Sequence, residues 1–173
     1  HRVRYSRWAL RSPPRSLQSM GSPEPALSTV MVAIPAENPG VSLATTTDEL
    51  AAHFSEKVDV KALVKLPVSA TDAFSVAAAG RADFSVHVKA VGSRASEAQI
   101  ERGLVRYPDA FGPGTEIVHR VSAAGTEDYV RLDRAPAHPE LRYEVSLGTA
   151  VAGLRQIGDS IEFLDRAGAP RLR

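Results

Sequence analysis

From Val58 onward the apolar side chains of this chain recur at every second position, and that period limits most of what it can fold into. In "VDVKALVKL", Val58, Val60, Ala62, Val64 and Leu66 share one side of an extended backbone, while Asp59, Lys61 and Lys65 share the other. Pro67 closes the run because it has no N–H to give to a ladder. "DFSVHVKAV" repeats the device, with Phe84, Val86, Val88 and Ala90 inward and Ser85, His87 and Lys89 outward. "AFSVAAA" (residues 73–79) with a turn at Gly80 supplies its hairpin partner.

Residues 93–103, with "SEAQIERG", fit either a helical turn or a strand with a glycine turn. Strand candidates then follow at regular spacing: "LVRY" (104–107), "TEIVHRVS" (115–122), "EDYVRL" (127–132), "LRYEVSL" (141–147), "GLRQI" (153–157) and "SIEFLD" (160–165). The segments between them are "PDAFGPG", "AAG", "DRAPAHPE", "GTAVA" and "GD", all of turn composition. This spacing predicts a mainly β chain, an antiparallel β-sandwich-like module over residues 58–173, and argues against a parallel sheet with crossover helices. The terminal "PRLR" reads as a short strand returning on "SIEFLD" after the turn "DRAGAP". A strand that short at an open edge would leave backbone groups unpaired, so the expectation is a module truncated at its C-terminus, with further sequence beyond Arg173.

Ahead of the alternating region, "TTDELAAHFSEK" carries the marks of one short docking helix over residues 46–57. Thr46 and Glu49 form a capping-box pattern, Asp48 and Glu49 suit the first turn, and Leu50, Phe54 and Val58 recur every four residues. Residues 1–45 read as a disordered or extended arm. Five arginines and no acid lie within residues 1–23, followed by proline- and glycine-rich sequence around the apolar run "ALSTVMVAIPA". That run has the length of a signal-peptide core, but Glu24 stands where a basic segment belongs, which favours an arm laid along the body. The first methionine is Met20, so the basic stretch before it suggests either a truncated start or translation from upstream.

Composition removes several function classes. There is no cysteine, hence no disulfide framework, thiolate zinc site or cysteine nucleophile. No apolar run approaches the roughly 20 residues of a membrane helix. The basic N-terminal stretch masks a body with 16 basic against 20 acidic groups, which offers no broad footprint for nucleic acid or anionic lipid.

Catalytic motifs are missing. No G-x-S-x-G, H-E-x-x-H or EF-hand pattern occurs, and "GTAVAGLR" spaces Gly148 and Gly153 as a phosphate loop does without its Lys and Ser/Thr. His119 shares parity with Ile117 and Val121 and should point to the core, His87 should face out, and His138 sits in a loop. A metal site from His87, His119 and Asp128 has no spacing to support it. Of the acids Glu116, Glu127, Asp128, Asp133, Asp159, Glu162 and Asp165, the adjacent Glu127 and Asp128 must point to opposite faces. Solvation and turn capping are their expected roles, with calcium binding by Asp159 and Asp165 a weaker option. No catalytic residue, cofactor or metal site is assigned.

Residues 117–173, best at "GTEDYV", "VAGLR", "IEFLD" and "GAPRLR", resemble a β-rich region near the N-termini of very large bacterial secreted and cell-surface proteins, including Rhs/YD-repeat and repeat-propeller types. The resemblance implies a non-catalytic structural module, extracellular or at the cell surface, whose partners are downstream domains of the same longer chain. The alternative is a β-sandwich that binds carbohydrate or protein through "PDAFGPG" and "DRAPAHPE".

Overall fold

The computed structural model describes residues 37–54, 58–134, 140–158 and 160–173. The described residues form strands β1 (Val41–Thr45), β2 (Glu49–Phe54), β3 (Ala62–Pro67), β4 (Phe74–Ala78), β5 (Arg81–Ala90), β6 (Gln99–Glu101), β7 (Leu104–Pro108), β8 (Thr115–Ser122), β9 (Gly125–Leu132), β10 (Tyr143–Leu147), β11 (Gly153–Ile157), β12 (Ser160–Leu164) and β13 (Pro170–Leu172), with no helix among them. All these strands pair antiparallel, in a six-stranded sheet β1-β2-β3-β4-β5-β10, a four-stranded sheet β6-β7-β8-β9 and a three-stranded sheet β11-β12-β13.

The two larger sheets form a sandwich because each offers one face of alternate apolar residues. Leu50, Val64, Leu66, Phe74, Val86 and Val88 from the first join Val105, Tyr107, Ile117, Val121, Val130 and Leu132 from the second in one buried cluster. Burying a side chain of this size stabilises by about 1.5–3 kcal/mol. The alternation read from "DFSVHVKAV" holds throughout, with Phe84, Val86, Val88 and Ala90 buried. The three-stranded sheet docks on this core through Phe163 and Leu172. "PRLR" does return on "SIEFLD", pairing Leu172 with Phe163 and Pro170 with Leu164.

The helix expected over residues 46–57 is not formed where the chain is described: residues 49–54 are strand β2, and residues 55–57 lie outside the described residues. Leu50 and Phe54 fit both periods because a spacing of four is a multiple of two as well as close to one helical turn. Leu50 opposite Leu66 buries that side in the sheet, and tertiary pairing overrides the helix propensity of Ala51 and Ala52. The Thr46/Glu49 pattern closes a hairpin instead of capping a helix: Thr46 N and Oγ1 both donate to Glu49 O, at 2.8 and 3.0 Å. Of the expected arm, residues 41–45 are edge strand β1, and residues 1–36, with the basic stretch and the signal-like run, lie outside the described residues. Strand β3 begins at Ala62, not Val58, because Lys61 N and Ala62 N donate to Ala123 O in the β8–β9 turn, where the two sheets meet.

Two backbone approaches need specific residues. Asn38, the only asparagine of the chain, is buried, with Nδ2 donating to Val121 O at 2.7 Å and Gly103 O at 3.2 Å and its N–H to Arg102 O at 2.8 Å. Gly148 lies so close to β5 that an added Cβ would sit 2.7 Å from Asp83 O and 2.9 Å from Ser85 N. Its place in a phosphate-loop-like spacing is thus explained by packing. Gly148→Ala is expected to cost about 1–3 kcal/mol in urea unfolding, whereas Gly153→Ala, with open space around it, should stay within about 0.5 kcal/mol of wild type. Equal effects at both positions would contradict this packing.

Candidate functional site

Among the described residues, titratable groups converge inside the sandwich at a point built by register. Pairing of β8 with β9 sets His119 directly opposite Asp128, and pairing of β7 with β8 sets Val105 opposite His119 on its other side. The imidazole lies edge-on to the rings of Phe74 on β4, 5.0 Å between centroids, and Tyr107 on β7, 5.8 Å. Its Nε2 is 3.9 Å from Asp128 Oδ1. Asp128 Oδ2 accepts a 2.8 Å hydrogen bond from the Tyr143 hydroxyl on β10, which joins the edge strands of the two sheets. Tyr107 donates across to Pro67 O of β3 at 2.6 Å. Both phenols therefore tie one sheet to the other.

Burial fixes the protonation states. It pushes the His119 pKa below 6.5 against the opposing pull of Asp128, so the ring is neutral at pH 7. It also raises both phenols, with Asp128 adding to the rise, so Tyr107 and Tyr143 remain donors. His119 Nδ1 and Asp128 Oδ1 are buried with no hydrogen-bond partner among the described residues. The cluster lines a cavity with about 20 Å³ of room, walled elsewhere by Asp72 and by apolar side chains such as Phe74, Val88 and Ile117. A neutral histidine beside a carboxylate could pass a proton, but that volume admits nothing the size of an organic substrate.

The other residues singled out from sequence are dispersed. His87 is exposed on β5, so the structure brings together His119 and Asp128 but not the third member of the trio considered above. His138 and Asp159 lie outside the described residues, and no group of three potential metal-ligating side chains occurs among those described. Glu127 does point away from Asp128, bonding Arg120 and the Tyr129 hydroxyl. Asp165 is occupied by its own turn: Oδ1 accepts from Ala167 N and Ala169 N, and Oδ2 from Arg171, which holds its pKa below the usual carboxylate value. That leaves it poorly placed for calcium. Asp133 sits against Gly114 and 3.9 Å from Arg131.

Two acids expected at the surface are buried. Glu116 takes a two-pronged hydrogen bond from Arg106, at 2.7 and 3.0 Å, with Arg131 Nε at 3.3 Å, and Glu162 receives Arg155 at 2.6 and 2.9 Å. Each is a cross-strand pair, so only a known register could have revealed it; "TEIV" and "IEFL" carry no such signal. Tyr143 was missed for the same reason, since its partner Asp128 belongs to the other sheet.

The loop "PDAFGPG" is internally fixed, with Asp109 Oδ1 accepting from Gly114 N and Thr115 Oγ1 bonded to both Phe111 N and Gly112 O. Asp133, which begins "DRAPAHPE", donates its N–H to Gly114 O, so the two loops start at one end of the four-stranded sheet; residues 135–139 lie outside the described residues. A separate open groove of about 410 Å³ runs between Arg81, Asp83, Thr149, Asp165 and Arg166, charge-balanced and solvent-facing. Comparison of the chain with protein-family models, with curated proteins and with solved structures finds no match.

Two results should follow from the buried cluster. Tyr143→Phe leaves Asp128 Oδ2 without its donor and should cost about 1–3 kcal/mol in urea unfolding. Because the folded pKa of His119 is depressed, the unfolded chain binds more protons below pH 6.5, and stability is lost as the pH falls through that value. The wild-type minus His119→Phe stability difference should be flat above pH 7 and shift against wild type below 6.5; a flat difference down to pH 5 would contradict a buried neutral histidine.

Proposed function

We propose that this chain is a non-catalytic structural module of a large extracellular bacterial surface or secreted protein, joined to downstream domains of the same longer polypeptide. The observation that carries this reading is how the reactive side chains are used. Glu116, Glu162 and Asp165 are taken up by arginines and turn amides, and Asp128 and Tyr143 by the bond between sheets. The cavity beside His119 is too small for a substrate. The resemblance of residues 117–173 to the β-rich regions of such proteins supplies the cellular setting. Among the described residues no helix is long and apolar enough to cross a membrane. Labelling of intact producing cells with an antibody to this module tests the setting: signal on unbroken cells is expected, and signal only after lysis would contradict it.

A second reading is binding of carbohydrate or protein through the loops at one end of the sandwich. It is favoured by the rigidity of "PDAFGPG", since a loop held by its own hydrogen bonds loses little freedom on contact. A glycan array separates the two: glycan retention abolished by Asp109→Ala would select the binding reading, and no retention would leave the structural one.

A further inference from the structure

We infer that the cavity beside His119 is a binding site for one water molecule, which bridges the His119 ring to Asp128 and completes a hydrogen-bond chain from β8 through β9 to Tyr143 on β10. Three observations converge on it. The 3.9 Å between His119 Nε2 and Asp128 Oδ1 is too long for a direct hydrogen bond and lies within the span of two that share one oxygen. Asp128 Oδ1 is buried with no hydrogen-bond partner among the described residues, a condition that costs about 1–3 kcal/mol if nothing relieves it. The cavity that both residues line has about 20 Å³ of room, where one water needs about 10–15 Å³.

The chemistry fits water better than an ion. Asp128 accepts, the neutral imidazole can donate or accept, and the Tyr107 oxygen keeps lone pairs free after donating to Pro67 O. That supplies the two to four polar partners a buried water requires. A metal cation would need several ligands at once; Asp72 also lines the space, but no group of three potential metal-ligating side chains occurs among the described residues, and Phe74, Val88 and Ile117 offer no donor. The bound water thereby turns the His119–Asp128 pair into part of the join between the edge strands β9 and β10, which share no backbone ladder.

The test needs no ligand other than solvent. A crystal structure of the unaltered chain at a resolution that shows ordered water should place one density peak between Nε2 and Oδ1. Continuous van der Waals contact or a direct His119–Asp128 hydrogen bond there would overturn the proposal. In solution, water oxygen-17 relaxation dispersion should lose the amplitude of one long-lived water in His119→Phe, and likewise in Asp128→Leu should either variant alone fold. Unchanged amplitude in a folded variant would also overturn it.

Discussion

Bulk water is kept from the space between two pleated sheets, and every other feature depends on that exclusion. A strand can present only alternate residues to a partner sheet, so the burial of Val64, Leu66, Phe74, Val86 and Val88 dictates which residues of β3, β4 and β5 face outward. The same alternation on β7, β8 and β9 sends Tyr107, His119 and Asp128 inward with Val105, Ile117 and Val130. Polar groups enter the core because they share parity with apolar ones. Once there, they must find partners inside.

Those partners come from the opposite sheet. Tyr107 reaches Pro67 on β3, and Tyr143 on β10 reaches Asp128 on β9. Backbone ladders cannot join the two sheets face to face, so these phenols provide direction where apolar packing provides only attraction. On the far side of the four-stranded sheet the solution is electrostatic. Arg106 and Arg131 flank the buried carboxylate of Glu116, while Leu104, Val118 and Tyr129 form a second, smaller apolar cluster. Among the described residues, Glu116, Arg106, Asp128, Tyr107 and Tyr143 are engaged in holding strands together, and that use is the ground for proposing a structural role.

Much of the architecture was legible in the sequence because period 2 is a strong local signal. "TEIVHRVS", "GLRQI" and the return of "PRLR" are strands where the alternation placed them. The failure at residues 49–54 is instructive: "ELAAHF" satisfies helical and strand spacing alike, and only its pairing with β3 decides between them. The inward parity of His119 and the divergence of Glu127 and Asp128 could be read from the same rule. Which strand lies opposite which could not. The Tyr143–Asp128 bond, the Arg106–Glu116 pair and the anchoring of Asn38 on Val121 all join residues ten or more positions apart, and no local pattern encodes them.

The central claim is that the six-stranded and four-stranded sheets share one core with His119 inside it. Its most direct test is the nuclear Overhauser effect between the ring protons of Phe74 on β4 and of His119 on β8, whose centroids lie 5.0 Å apart across the two sheets. A strong cross-peak between these rings in the folded chain is predicted. A dispersed, folded spectrum in which each ring contacts only residues of its own sheet would contradict the account.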